Sequence, residues 1–137
     1  MSQTTKDGNR WNSGHGGPVL QAPAVVIWVI GGLAAVHAAL WLAGPNWQMW
    51  SIYALAFIPA RLSDAAYPIF PGSKVLSFLT YSLLHAGWGH LAANSLWLLI
   101  FGTPVARYLG AGRFLLLSVI ASVCGALATL LMHWGEQ

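Results

Sequence analysis

The chain has 137 residues, of which 57% are hydrophobic and 7% charged, and its formal net charge is +3. A soluble domain carries about 25% charged residues because its surface faces water, and a chain this short cannot bury so large an apolar excess in one core. The composition therefore excludes an ordinary soluble domain and a disordered chain, which leaves the membrane proteins. Six basic residues spread along the chain form no dense patch, so no nucleic-acid partner is expected.

The chain begins with a polar, glycine-rich segment, residues 1–23, which is predicted to be a flexible tail. It does not resemble a signal peptide, because the apolar run that follows begins late, is too long and lacks a convincing cleavage site. Residues 24–43 are apolar apart from His37, and a helix of this length just crosses a hydrocarbon core of about 30 Å. The pattern predicts a first spanning helix that ends at Gly44-Pro45-Asn46.

The segment from about 47 to 87 is apolar but interrupted by prolines and charges, so no part of it is long enough to span. It is too hydrophobic for a plain linker, since it contains Tyr53, Leu55, Phe57, Ile58, Tyr67 and Phe70. Three tryptophans lie where an interfacial aromatic belt is expected: Trp41, Trp47 and Trp50. The segment is predicted to be a partly helical, structured loop at the membrane interface.

Two further apolar stretches follow, at about 88–106 and 114–133, joined by a tight connection at Gly110-Ala111-Gly112-Arg113. The last stretch carries small residues at helical spacing that would let another helix approach closely: Ser118, Ser122, Gly125 and Ala126. The expected fold is therefore an all-α, polytopic membrane bundle with three transmembrane helices, residues 24–137 forming its membrane domain.

Basic residues near the ends of spans predict the orientation in the membrane. Four of them lie in the tail or around the second connection: Lys6, Arg10, Arg107 and Arg113. Arg61 and Lys74, in the long loop, argue mildly for the opposite orientation, and no basic residue follows the third span. The better fit is a multi-pass cell-membrane protein with its N-terminus in the cytoplasm and residue 137 on the outer side.

His90 and Asn94 are four residues apart near the start of the second span, so on a helix they share one face. A polar side chain there must find a partner or line a wet cavity. Each can offer an N–H donor, and two donors aimed at one point stabilise the charge that develops on a carbonyl oxygen during acyl transfer. Spacing alone also allows the plainer interpretation, an interhelical hydrogen bond.

The residues around this pair form a longer pattern. His85-Ala86-Gly87-Trp88-Gly89-His90-Leu91-Ala92-Ala93-Asn94, followed by Phe101-Gly102, Leu109-Gly110 and Arg113-Phe114, resembles the rhomboid family of intramembrane serine proteases. Phe57-Ile58-Pro59-Ala60-Arg61 also looks like the structured first loop of bacterial members. The resemblance covers the chain from about Ser51 onward.

The resemblance implies an enzyme that hydrolyses peptide bonds in single-pass transmembrane proteins, in or near the lipid bilayer, without a cofactor. It implies that His90 and Asn94 help to stabilise the oxyanion and that His85 supports the site. Gly102 and Gly110 match glycines of the family pattern and are expected to be structural.

The catalytic pair of that family, a Ser in a GxSG motif and a His base, belongs to its fourth and sixth spans. No residue of this sequence matches either one, since Ser13 lies in the polar tail and His133 merely follows the third span. Ala106 stands where many relatives carry an acidic residue. The chain is therefore expected to be the N-terminal half of such a protein, to need the missing C-terminal half as a partner, and to be inactive alone.

Two other functions remain open: a catalytically inactive rhomboid-like protein that binds transmembrane helices, and a haem- or metal-binding membrane protein using His37, His90 or His133. For His37 a polar residue satisfied by a neighbour is the more common case. His85 and His90 are five residues apart, a poor spacing for two ligands on one helical face, so no metal is expected. Cys124 has no partner cysteine and is expected to be a small core residue.

Overall fold

The computed structural model of the chain describes residues 21–63, 70 and 72–133. Several residues of the sequence predictions lie outside the described residues: the tail up to residue 20, with Lys6, Arg10 and Ser13, and Tyr67 of the loop. Within the described ranges every regular element is a helix, which confirms an all-helical fold.

Seven α-helices follow one another along the described residues. They are α1 (Ala24–Ala43), α2 (Pro45–Leu55), α3 (Ala60–Ser63), α4 (Ser73–Thr80), α5 (Trp88–Trp97), α6 (Thr103–Leu109) and α7 (Ala111–Met132). A 3-10 turn (Tyr81–Leu83) follows α4, and a π-helical segment (Leu98–Gly102) joins α5 to α6.

Helices α1 and α7, with 20 and 22 residues, are long and apolar enough to cross a membrane. Only 6% and 11% of their apolar windows are buried within the protein. The core helix of a soluble protein would be mostly buried, so side chains such as Trp28 and Leu116, which are more than half exposed, are better suited to lipid. Two candidate spans are thus present among the described residues.

The predicted second span, about 88–106, is not one uninterrupted α-helix. The backbone stays helical through Leu98 (φ −64°, ψ −37°) and Gly102 (φ −67°, ψ −34°), so α5, the π segment and α6 form one continuous helical rod. Pro104 accounts for the interruption, because a proline lacks the N–H that would bond four residues back and its ring crowds the carbonyl of Ile100. The widened π turn accommodates that lost bond.

One end of the bundle is held by an apolar core in which α1, α6 and α7 meet. Val26, Ala106 and Phe114 are buried there, at 0%, 4% and 4% exposure. A Cβ added to Gly102 would lie 3.0 Å from Cδ1 of Leu98 and 3.5 Å from the ring of Phe114, so this glycine lets α7 approach the rod closely.

The connection between the rod and α7 is shorter than predicted. Gly110 alone separates α6 from α7, and Ala111, Gly112 and Arg113 already belong to α7. Gly110 has a φ of +78°, a left-handed backbone conformation that side chains other than glycine adopt only at a cost. The reversal of the chain between the two helices therefore depends on this one residue.

The segment between the first two predicted spans contains α2, α3 and α4 and packs against the long helices. The hydroxyl of Thr80 donates a hydrogen bond to the carbonyl of Leu55 (2.9 Å), and the ring centroids of Phe57 and Phe78 are 4.6 Å apart. The hydroxyl of Tyr81 donates to the carbonyl of Ser122 on α7 (2.9 Å). These contacts place the end of α4, and with it the chain leading to α5, at a defined position.

Gly125, one of the small residues of α7, leaves room for the side chain of Tyr81. A Cβ on Gly125 would lie 2.7 Å from the hydroxyl oxygen of Tyr81, which is too close for any real side chain.

The other residues of α7 differ in their burial. Ala126 is fully buried, and the Ser118 hydroxyl donates a hydrogen bond to the carbonyl of Phe114 (2.9 Å). Cys124 is exposed, so its predicted place in a core is wrong for the described part of the chain.

Candidate functional site

The two candidate oxyanion donors lie on α5, which begins at Trp88 directly after the extended residue Gly87 (φ 174°). His90 and Asn94 are one helical turn apart on the same face, and both side chains are exposed. Neither makes a hydrogen bond to any residue that the structure describes. Their polar atoms are therefore available to a ligand or to another part of the protein.

His85 lies beside this pair, in the connection that leads into α5. Its ring centroid is 5.5 Å from that of His90, and its Nδ1 is 3.3 Å from the carbonyl oxygen of Leu83. The pKa of His85 is lowered from its usual value, mainly because partial burial penalises the charged imidazolium. Positive charge on His90 or His37 lowers this pKa further, while the contact with Leu83 acts in the opposite direction.

His37 joins the same cluster from α1, which the sequence did not predict. Its ring meets the Trp88 ring almost at a right angle (89°) with centroids 4.7 Å apart, and its centroid is 6.3 Å from that of His85. Trp41, one turn further along α1, also contacts Trp88 edge-on, with centroids 6.3 Å apart. One face of α1 therefore contacts Trp88, the first residue of α5, which lies two positions before His90.

A cavity of about 330 Å³ lies between α1, α2 and the connection that precedes α5. Its polar lining comes from His37, Gln48, Ser51 and His85, and apolar side chains such as Leu40 complete the wall. A larger groove of about 680 Å³ at the opposite end is lined mostly by apolar residues with Thr103 and Arg107, and it contains no imidazole. The smaller cavity is the one that adjoins the candidate site.

Three imidazoles are thus neighbours, yet within the described ranges no three His, Cys, Asp or Glu side chains are arranged to hold a metal ion. His133 is not part of the cluster, since its Nδ1 lies 3.0 Å from the carbonyl of Thr129 at the end of α7. The spacing of five between His85 and His90 could not reveal their proximity, because His85 lies outside the helix that carries His90.

Ala106, where many relatives are expected to carry an acidic residue, is buried against Val26 and Phe114. An ionised carboxylate there would lose its hydration without a partner inside that core. The neighbouring cation, Arg107, is instead directed outward and donates to the carbonyl of Gln21, ahead of α1. This end of the rod is held by apolar packing and one arginine.

The part of the chain that carries the candidate site is similar to known proteins. Residues 72–136 match the family model described as Rhomboid domain. These residues are similar to that domain and are called the rhomboid segment. This rhomboid segment begins with α4 and includes His85, His90 and Asn94, whereas α1, α2 and α3 precede it.

A stretch of 51 residues is 47% identical to the protein named Rhomboid protease GluP of Bacillus subtilis (strain 168). The stretch covers 37% of this chain and 10% of that protein, so the chain matches only a small part of its relative's length. No solved structure matches the chain. The similarity to the Rhomboid domain covers His85, His90 and Asn94, and it supports a location in the membrane.

Proposed function

We propose that the chain is part of a rhomboid-type intramembrane serine endopeptidase that cleaves single-pass transmembrane proteins within or near the lipid bilayer. The observation that carries the proposal is the pair His90 and Asn94 within the rhomboid segment, exposed on one face of α5 and without hydrogen-bond partners among the described residues. Polar groups near the start of a span are costly to leave unpartnered, so they favour a functional role over a structural one.

In this proposal the two side chains stabilise negative charge in the transition state. When a nucleophile adds to the scissile carbonyl carbon, the carbonyl oxygen becomes an oxyanion, and N–H donors fixed in advance lower its energy. His90 and Asn94 can each supply one donor from a rigid helix. His85, whose ring centroid is 5.5 Å from that of His90, limits the positions that the His90 ring can adopt.

In this proposal a further segment of the fold contributes the nucleophile and the general base, since none of the serines of this sequence lies in a GxSG motif. Donors of an oxyanion site cannot cleave a peptide bond without a nucleophile. A segment that carries the GxSG motif would therefore be the first partner of the chain, and the 137 residues alone should not cleave a substrate.

A second candidate is a catalytically inactive rhomboid-like protein that binds transmembrane helices. The two candidates make opposite predictions for a chain supplied with the other half of the fold. Co-expression with a rhomboid fragment that begins just before GxSG should restore cleavage of a model transmembrane substrate if the endopeptidase proposal is right, because separately inserted spans can associate afterwards.

A GxSG fragment with its Ser replaced by Ala is the matched control, and it should give no cleavage. If the active fragment assembles with the chain and photocrosslinking captures substrate, but no product forms, the helix-binding candidate replaces the endopeptidase. Cleavage by the chain without any added fragment would show that its chemistry differs from the rhomboid type.

A further inference from the structure

The groove of about 680 Å³ lies between the rod and the residues that precede α1, at the end of the bundle away from the histidines. Its wall is apolar along Leu99 and Ile100 and becomes polar at Arg107. From Leu99 to Arg107 the rod advances by about 12 Å, at a rise of about 1.5 Å per residue. The groove therefore offers a single occupant both an apolar surface and a cationic end.

The depth of this cationic end in the membrane follows from its contact with the chain ahead of α1. The guanidinium of Arg107 donates to the carbonyl of Gln21, just before the candidate span that begins at Ala24. A bilayer has a headgroup layer of about 5–7 Å on each side of a hydrocarbon core of about 30 Å. With α1 crossing that core, Arg107 lies in the headgroup layer, and Leu99, about 12 Å further along the rod, lies among acyl chains.

Thr103, between these two residues on the groove wall, has a buried hydroxyl without a hydrogen-bond partner among the described residues. Other helical hydroxyls bond back to the preceding turn, as Ser118 does to Phe114 and Thr129 to Gly125. Thr103 directly follows the π segment, whose wider turn changes the position of the preceding carbonyls. A buried hydroxyl is costly to leave unpaired, so an occupant of the groove is expected to supply the acceptor.

The position of Thr103 matches the ester groups of a phospholipid. It lies one helical turn, about 6 Å, further into the membrane than Arg107, at the boundary between headgroups and hydrocarbon. Ester carbonyls, which accept hydrogen bonds, join the headgroup to the acyl chains at that depth. A threonine in a helix populates two χ1 rotamers, and rotation between them turns its hydroxyl from the buried position toward the groove.

Charge distinguishes among the phospholipids that could enter the groove. The guanidinium of Arg107 has five N–H groups and bonds only to Gln21 among the described residues, so further N–H groups can bind phosphate oxygens in pairs. None of the described residues is Asp or Glu, so no carboxylate in the described ranges competes for this cation. Arg113, near the start of α7, adds a second positive charge at this end. An anionic headgroup fits better than a zwitterionic one, whose ammonium group would be repelled.

We propose that the groove binds one anionic phospholipid, with its phosphodiester on Arg107, an ester carbonyl at Thr103 and an acyl chain along the apolar wall. A transmembrane helix would not satisfy these polar groups, because its backbone carbonyls are already used within the helix. The orientation predicted from Arg107 and Arg113 puts the groove in the cytoplasmic leaflet, whose anionic lipids attract basic residues. This lipid site does not depend on the endopeptidase proposal.

Thermal unfolding of the full chain in nonionic detergent micelles tests the headgroup. Phosphatidylglycerol should raise the melting temperature by about 4 °C or more, because a ligand that binds only the folded chain stabilises it. Phosphatidylcholine and inorganic phosphate should each give a much smaller shift. Arg107→Gln should remove most of the phosphatidylglycerol shift, whereas Arg113→Gln, the matched control outside the groove, should keep most of it.

Two results would overturn the proposal in this experiment. An equal shift with phosphatidylcholine or with phosphate would show that the headgroup charge or the lipid itself is not what binds. Equal losses in Arg107→Gln and Arg113→Gln would show a general attraction of anionic lipid to positive charge at this end of the bundle.

Thr103→Val tests the second polar contact, since it keeps the shape of the side chain and removes the hydroxyl. Without phosphatidylglycerol this variant should melt at the wild-type temperature or higher, because an unpaired buried hydroxyl is lost. With phosphatidylglycerol its shift should be no more than about half that of the wild type. A full shift would overturn the role of Thr103, and so would a lower melting temperature without lipid, which would show that the hydroxyl has a partner in the protein.

Photocrosslinking in phosphatidylcholine bilayers locates the acyl chain. Phosphatidylglycerol with a diazirine in one acyl chain should label Leu99 and Ile100 several-fold more than Leu116, which is 59% exposed on α7 and reports bulk lipid. Arg107→Gln should lower the labelling of the groove to the level of Leu116. The same pattern with diazirine-labelled phosphatidylcholine would overturn an anionic site. Loss of the labelling when the GxSG fragment is added would overturn the lipid as occupant, because a further helix would then fill the groove.

Discussion

Asn94 offers its side-chain amide on an exposed face of α5, one turn after His90. In the assembled protease, Asn94→Ala should lower the rate of cleavage by about 10²–10³-fold, or roughly 2.7–4 kcal/mol, which is the usual effect of removing one oxyanion donor. The melting temperature should change little, because the side chain has no hydrogen-bond partner among the described residues.

Ser95→Ala, one residue further along α5, is the matched control and should cleave at the wild-type rate. Cleavage by Asn94→Ala at the wild-type rate would leave Asn94 as an interhelical hydrogen-bonding residue, the plainer interpretation of the spacing.

The lowered pKa of His85 makes a prediction about stability. The unfolded chain takes up a proton on this residue at a higher pH than the folded chain does, so the unfolded state binds more protons in the interval between the two pKa values. The contribution of His85 to stability is therefore fully present above the unfolded value near 6.5 and is lost as the pH falls through the lower, folded value.

Thermal unfolding of the chain in detergent micelles, measured between pH 7.5 and pH 4.5, should show a melting temperature that decreases on acidification. His85→Gln should reduce that decrease. A pH dependence that is the same in wild type and in His85→Gln would show that His85 is not the responsible group.

How far the site can be predicted from sequence depends on whether its residues share an element. The common face of His90 and Asn94 followed from a spacing of four within one helix. His37 could not be predicted to join this site. Its contacts with Trp88 and His85 depend on how α1 packs against α5, and the periodicity of the sequence does not report this packing. The available signal in the sequence was the spacing of four between His37 and Trp41, which places both side chains on one face of α1.

Between elements, the contact of Tyr81 with α7 is specific enough for a double-mutant test. Gly125→Ala would place a methyl group 2.7 Å from the Tyr81 hydroxyl, so we expect a loss of about 1–3 kcal/mol in the free energy of unfolding. In a Tyr81→Phe background the same substitution should cost much less, because the next ring atom, Cζ, lies 4.0 Å from the added group.

Gly112→Ala is the control within the same helix. An added Cβ there meets nothing within 4 Å, and alanine is the better helix former, so stability should be unchanged or slightly higher. If Gly125→Ala costs as much with Phe at position 81 as with Tyr, the steric explanation fails. Equilibrium unfolding in mixed micelles gives the free energies of unfolding for this comparison.

The elements were predictable where a long apolar run continued without a break, as in α1 and α7. The π segment Leu98–Gly102 was not predicted, although Pro104 was visible in the sequence, because apolar composition alone does not report a lost backbone hydrogen bond. The helices of the loop were expected only in outline, since short helices depend on tertiary packing such as the contacts of Thr80 and Tyr81.

In the molecule as a whole, the apolar core and the polar cluster lie at opposite ends of the same helices. Val26, near the start of α1, packs against α6, while His37, near the end of α1, meets the start of α5. Tight packing at one end fixes the rod and α1 as a pair. The other end can then hold a cavity and exposed donors without loss of the fold.

The orientation of this arrangement in the membrane gives the last prediction. If α1 and α7 both cross the membrane and the rod from Trp88 to Leu109 crosses between them, reporters fused after Gly44 and after Gly112 must lie on opposite sides. Arg107 and Arg113 flank the second connection and favour the cytoplasmic side for it. A phosphatase reporter, active only outside, should therefore be active after Gly44 and after Gln137 and inactive after Gly112. Activity after both Gly44 and Gly112 would show that the rod does not cross, and the π segment would then mark a helix that enters the membrane without spanning it.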